Sequence, residues 1–340
     1  MSMLSSFREP SPPPVAVELA ATRVSAAAVE ARGSGAVVSA HGSEPLPEGA
    51  LVPSLNGSNV RDRAAVVAAL ERVFSRMGVR PRRIGLVIPD PVSKVSLVKF
   101  ERVPARRQDL DQLIRWQVKK AAPFPIEESQ ISYAPALAAA DGQEFVVSMA
   151  RRDIIQEYET VCAGAGAHAG IVDLATFSVV NAVLATTPNP ASDPSRASGS
   201  TRAPSSDDWL LVNVTTEYAS IVILRGEHLI FFRNRASETD GGLSDLVHQA
   251  AMYYEDRLSG SGFSRAILAG AAAAAQGAGL PPPEVEDLRR SLESRLNRPV
   301  ETFDPRTAVS LTDRIVAAPA LLDTLTPLVG LVLRGREVTA

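Results

Sequence analysis

Residues 109–133, DLDQLIRWQVKKAAPFPIEESQISY, are the stretch from which the rest of the chain is best read. Leu110, Leu113, Ile114, Val118 and Ala121 recur at helical spacing on one face, with Arg115, Lys119 and Lys120 largely on the other, which predicts an amphipathic helix. Pro123 and Pro125 stop it, because a ring nitrogen cannot donate to the helix ladder and the residue before each proline is pushed toward extended geometry. A strand follows, with Ile131 and Tyr133 on one side. By periodicity alone this is a helix-to-strand corner in which Trp116 and Phe124 fill a core.

The literal order of residues is more specific. Trp116, then basic residues, then Ala122-Pro-Phe-Pro-Ile-Glu-Glu128 ahead of a short strand resembles the small inserted subdomain of the PilM family, the actin-like cytoplasmic proteins of type IV pilus assembly. The family pattern runs roughly Trp, Glu, Lys, Tyr, Ile, Pro, Phe, with a proline or an acidic pair soon after. This chain departs from it at Gln117 and at Ala121-Ala122. The resemblance implies an α/β fold: the two-lobed actin-like ATPase (RNase H-like) architecture with an inserted small α+β subdomain.

The bulk properties agree with such a protein. A chain of 340 residues has room for two lobes with real cores. A formal charge of −3 supplies no basic field, which argues against nucleic acid as a partner. Cys162 is the single cysteine, which excludes an internal disulfide and suits a reducing cytoplasm. His41, His168, His228 and His248 are scattered and form no metal-ligating pair, so no metal site is expected. The N-terminus lacks the apolar core of a secretory signal, and no window offers the ~20 apolar residues of a membrane span. Any membrane association is therefore expected to run through a partner.

Outward from the opening stretch, alternation predicts strands at Val15–Leu19 and Val24–Ala28, a third at Val37-Val38, a helix from Asp62 to Met77 and a buried strand from Ile84. A further strand from Val95, the opening helix, strands at Ile131 and Phe145, and a helix from Arg152 to about Ala163 form a piece over 95–168, read as one compact insert. Residues 186–208 hold four prolines and six serines in 23 positions. Such a segment cannot bury enough surface to offset the entropy of ordering it. It is read as a disordered linker, as are residues 1–14. The expected organisation is thus a first lobe over 15–94 and 169–185, the insert over 95–168, and a second lobe over 209–340.

The two lobes open alike, with strand, turn and strand at Val15–Val29 and again at Leu210–Leu224. In actin-like ATPases each lobe contributes one such hairpin to clamp the nucleotide phosphates. Backbone N–H groups must then approach the oxygens, which favours glycine in the turn, and a carboxylate must hold magnesium through water. The family supplies Asp-Ile-Gly followed by Ser or Thr, then a lysine. Here the matching positions are Glu18, Leu19 and Ala20, then Ala21, Thr22 and Arg23; in the second hairpin they are Asn213, Val214 and Thr215, then Thr216 and Glu217. Gly241 and Gly242 remain ahead of a helix, and Gly270 remains in the turn that holds adenosine in this superfamily, with Ala271 beside it. Both aspartates and the lysine are replaced, so negligible ATP hydrolysis is expected. No cofactor is expected; weak binding of ATP and magnesium stays open, with Arg23 as substitute phosphate ligand.

The resemblance implies a non-catalytic cytoplasmic scaffold, peripheral to the inner membrane, that grips the cytoplasmic tail of a PilN-like membrane protein between the first lobe and the insert. It admits pilus motor ATPases as further partners, and self-association. Trp116, Phe124, Pro125 and Tyr133 are the candidate tail-binding residues, because rigid aromatics give large contact area at low entropy cost. Two alternatives remain: an active actin-like ATPase, and the cytoplasmic module of a type II secretion platform, which would require a membrane span following in the same chain.

Overall fold

Two antiparallel hairpins seed the two main sheets. In the computed structural model, which describes residues 12–33, 35–139, 141–186, 207–237 and 242–334, β1 (Val15–Leu19) pairs with β2 (Arg23–Arg32) so that Glu18 faces Ser25, and β2 pairs with β3 (Gly35–Pro45). Of the disorder expected for residues 1–14 and 186–208, positions 1–11 and 187–206 lie outside the described residues, as does Gly241, whereas Asp208 is buried and opens a strand. Every residue of β1 is buried, the pattern of a strand covered on both faces. Helix α1 (Arg63–Met77) is capped by the Asp62 carboxylate on the Ala65 amide at 2.9 Å and stopped at Gly78 in the left-handed region, φ 67°. β4 (Arg83–Ile88) then runs parallel to β1.

The chain next leaves this sheet to build the insert: β5 (Ser93–Phe100), α2 (Arg107–Lys119), β6 (Ser129–Ala139) and β7 (Gly142–Arg151). Its three strands lie in the order β5-β7-β6, so β6 is an edge strand. The predicted alternation holds. Ile131, Tyr133, Phe145, Val147 and Met149 pack with Ile114 and Val118 of α2 and with Phe124 in one apolar cluster. The other face, with Val146 and Leu97, turns toward the rest of the molecule.

Helix α3 (Arg152–Gly164) leads into β8 (His168–Leu174), which pairs parallel to β4, and α4 (Ala175–Leu184) follows. The packing of α3 differs from the expected 95–168 unit. Ile154, Ile155, Tyr158, Val161 and Cys162 join the core formed by β1, β2, β4 and α1. Its apolar stripe is thus satisfied by the first lobe, and the small sheet is covered by α2 instead.

The second sheet runs β11-β10-β9-β12-β13, from β9 (Asp208–Val214), β10 (Tyr218–Arg225), β11 (His228–Ala236), β12 (Arg265–Ala269) and β13 (Glu301–Thr302). Its hairpin turns at Gly226, φ 59°, as the Arg225-Gly226-Glu227 sequence predicts. Helices α5 (Leu243–Arg257), α6 (Ala271–Gly277) and α7 (Pro282–Leu296) belong with this sheet. The C-terminal segment returns to the first lobe, although 209–340 was expected to form the second. β14 (Ser310–Leu311) extends the first sheet beside β3, and α8 (Pro319–Leu333) buries Leu325, Leu328, Val329 and Val332 against β1, β2 and β4. Gly330 permits this, because a Cβ there would lie 1.7 Å from the Ser178 carbonyl oxygen of α4.

Candidate functional site

The two hairpin turns and the start of α6 converge on one cleft between the lobes, lined by Glu18, Arg23, Asn213, Thr215, Gly270 and Asp323 among others. The Glu18 carboxylate is buried and accepts a hydrogen bond from Arg23 Nη2 at 3.3 Å, so this guanidinium is engaged by its own hairpin. Burial nevertheless holds the Glu18 carboxyl above its ordinary range, partly offset by Arg23. Ala20 closes the first turn by donating to the Arg23 carbonyl at 3.0 Å. In the second hairpin the Thr215 hydroxyl accepts from the amides of Glu217 at 3.3 Å and Tyr218 at 3.0 Å. Those turn amides are then satisfied internally. Asn213 is buried and donates to Thr176 Oγ1 at 2.8 Å.

A second carboxylate, from the last helix, completes the cleft. Asp323 accepts from the amides of Ala272 at 2.7 Å and Ala273 at 3.2 Å, neutralising the free N–H groups at the start of α6. Its carboxyl is raised by burial and lowered by these amides. Gly270, φ 79°, is required for packing: a Cβ would lie 2.2 Å from the Val214 carbonyl oxygen and 3.0 Å from Asn213 Oδ1. Between these groups a cavity of about 30 Å³ remains. Of the other residues singled out in the sequence, Ala21, Thr22 and Thr216 sit in the hairpin turns, and Gly242 caps α5 with exposed backbone.

Behind the cleft, a buried polar cluster joins the lobes. Asp90, two residues past the end of β4, accepts from the Thr176 amide at 3.0 Å, the Thr176 hydroxyl and Ser220 Oγ at 2.5 Å, while its own amide donates to the Tyr218 hydroxyl at 3.3 Å. Asn234 donates to Ser220 Oγ at 2.8 Å. Desolvation raises the Asp90 carboxyl above its ordinary range despite these donors. The sequence reading missed both Asp90 and Asp323. The available signals were a lone acid ahead of Pro91, after the apolar run Ile84–Ile88, and a lone acid in the apolar helix PALLDTLTPLVGLVL.

A larger groove, of about 330 Å³, opens between the insert, the β8–α4 corner and the β10–β11 hairpin. Ser132, Tyr133, Ala134, Pro135 and Ala136 border it in unbroken succession, which places the free edge of β6 along its wall. Phe177, Val180, Leu184, Leu224 and Leu229 supply an apolar floor. Of the four candidate tail-binding residues, only Tyr133 borders this groove. Its ring turns to the α2 side, edge-on to Phe145, and its hydroxyl donates to Asp111 Oδ1 at 2.5 Å. Phe124 is buried in the insert core, Pro125 is exposed, and Trp116 stands 65% exposed on the outer face of α2. The reason is the helical period: Ile114 and Val118 face the sheet, which turns Trp116 between them outward. The described residues hold no group of three or more metal-ligating side chains and no helix long and apolar enough to cross a membrane.

A family model for the type IV pilus assembly protein PilM matches residues 16–256. Comparison with curated proteins finds no match. Among solved structures, the PilM-PilN type IV pilus biogenesis complex aligns with a TM-score of 0.74 at 17% identity, covering 96% of this chain and 100% of that one. This likeness shows the fold, the two-lobed actin-like α/β architecture. Weaker likenesses are to the ethanolamine utilization protein EutJ from Carboxydothermus hydrogenoformans (TM-score 0.45, 9% identity, 96% and 92% covered) and to the cytoplasmic domain of EpsL, an inner membrane component of the type II secretion system of Vibrio cholerae (TM-score 0.44, 9% identity, 75% and 80% covered).

Proposed function

The chain belongs to the PilM family of type IV pilus assembly proteins, and on that basis we propose that it is a non-catalytic scaffold at the inner membrane that holds the cytoplasmic tail of a PilN-like membrane protein. The observation that carries this is the groove beside β6. It combines an apolar floor with a free strand edge, the two elements that bind an extended peptide: backbone pairing gives affinity and the pockets choose side chains. The insert and the first lobe each form one wall, as the family resemblance implies. The test is calorimetry of the full chain with the synthetic cytoplasmic tail of the PilN-like protein, with and without magnesium-ATP. Binding of equal strength in both conditions supports the scaffold; absence of binding in both overturns it.

The contents of the interlobe cleft support the non-catalytic part. Phosphoryl transfer requires metal and cationic charge around the phosphates. Here the Glu18 carboxylate is tied to Arg23 and the Asp323 carboxylate to the amides of Ala272 and Ala273, so neither is turned to a metal, and Asn213 brings no charge. One observation favours a second reading, weak anion binding: Arg23 Nε is buried without a partner among the described residues. A phosphate- or nucleotide-dependent rise in melting temperature that disappears in Arg23→Gln would establish it.

A further inference from the structure

The groove carries a charged pair in its lining, and the pair's hydrogen bonding is incomplete. Asp173, the penultimate residue of β8, lines the groove with its side chain only 11% exposed. Oδ1 accepts from the Leu174 amide at 2.9 Å, and Oδ2 accepts a single bond from Arg334 Nη1 at 3.1 Å. Arg334, directly after α8, is 42% exposed and also lines the groove. A carboxylate has about four lone-pair positions, and an arginine fork can fill two of them. Here each oxygen has one donor, and the guanidinium is engaged end-on rather than as a fork. Burial accordingly keeps the Asp173 carboxyl above its ordinary range even beside Arg334. Apart from the Tyr133 phenol, which is bonded to Asp111, the other ionisable groups lining the groove are Glu227 and His228, both exposed at the hairpin turn. With Arg334 already facing Asp173, the groove has an excess of negative charge.

We propose that Asp173 is a specificity-determining anchor for a cationic group, a lysine, an arginine or the free α-ammonium, on the extended peptide that occupies this groove, and that Arg334 is its resident competitor. The inference rests on the tail-binding reading of the groove and adds the chemistry of the tail. An apolar peptide alone satisfies the floor formed by Phe177, Val180, Leu184 and Leu229. It leaves the second acceptor position on each Asp173 oxygen open, and an ammonium or guanidinium can fill these with charge-assisted hydrogen bonds. A cation beside Asp173 supplies those donors and fixes the register of the peptide in the groove. Arg334 sits at the solvent side of the pair, so it can swing out as the ligand cation enters.

The test is calorimetry of the full chain with three forms of the PilN-like tail: unmodified, with Lys and Arg replaced by norleucine, and with an acetylated α-amine. Asp173→Asn is expected to weaken the unmodified tail about tenfold or more, the scale of one charge-assisted hydrogen bond. It should leave unchanged whichever modified tail has lost the recognised cation, which identifies the source. Arg334→Gln is expected to act in the opposite direction and tighten the unmodified tail several-fold. A merely structural pair would weaken binding in both variants. If all three tails bind but Asp173→Asn lowers their affinities by the same factor, or Arg334→Gln weakens binding, the anchor is overturned while the groove stands. If no tail binds the unsubstituted protein, both readings fall.

Discussion

Asp90, just past β4, and Ser220 in β10 belong to different lobes, yet their side chains are joined by a hydrogen bond of 2.5 Å in a site sealed from solvent. With Thr176 on the same carboxylate and Tyr218 on the Asp90 amide, this fastens the lobes directly behind the cleft. Two-lobed folds open and close around such a hinge, and a buried, fully donated carboxylate resists that motion.

Removing this carboxylate should therefore be severe. Asp90→Ala leaves the Thr176 amide and the hydroxyls without their acceptor and is expected to cost about 3 kcal/mol, read by denaturant unfolding. Asp90→Asn keeps one acceptor oxygen and should cost roughly half as much. If alanine is tolerated within about 0.5 kcal/mol, the surface-substitution range, the fastening role is disproved.

The same group gives a pH dependence of definite sign. Burial raises the folded-state carboxyl of Asp90 above its unfolded value, so between the two the folded protein holds more protons. Stability contributed by the protonated form is present below the unfolded value and is lost as pH rises through the folded one. Glu18, Asp173 and Asp323 are shifted in the same direction. Asp141, Asp153, Glu286 and Asp304 are held low by arginine or lysine partners and contribute with the opposite sign, so the expected outcome is a difference: the stability advantage of the unsubstituted protein over Asp90→Asn should shrink as pH rises through the carboxylate range, read from melting temperatures of the two side by side.

Magnesium-ATP should leave the melting temperature unchanged and release no phosphate. A ligand at a hundredfold excess over its dissociation constant stabilises by about 2.7 kcal/mol, so real binding is easily detected. Turnover above the background of a protein-free control would reinstate the ATPase reading.

Tail binding should follow the groove rather than the outer face of α2. Trp116→Ala is expected to change neither affinity nor stability by more than about 0.5 kcal/mol. Phe124→Ala, in the insert core, should cost about 3–5 kcal/mol of stability. Ala134→Trp, at the exposed β6 edge, should abolish tail binding with the fold intact. Loss of binding in Trp116→Ala with Ala134→Trp unaffected would move the site to α2.

Cys162 should be inert in the native protein. It lies buried in the first-lobe core, and burial pushes its thiol up to about 12, leaving negligible thiolate at neutral pH. A thiol reagent should label it only when denaturant unfolds the chain; rapid native labelling would contradict this packing.

The sequence by itself determined the elements and the family. Periods of two and 3.6 are local consequences of side-chain direction, so the hairpins at Val15–Val29 and Leu210–Leu224, the helix after Asp62 and the corner at Pro123-Phe-Pro125 were legible in the residues. The replaced clamp residues were legible too, because a glycine or carboxylate is either in the string or absent from it. Only tertiary structure decided which groups meet. α3 buries its stripe in the first lobe, α8 brings Asp323 onto the amides of Ala272 and Ala273, and Asp90 meets Ser220 across 130 positions. The face a helix presents follows from its period, but the surface that receives it depends on the path of the chain between. That is why Trp116 could be identified as a signature and still stand apart from the groove, while Asp173 and Arg334, 161 positions apart, meet in its lining.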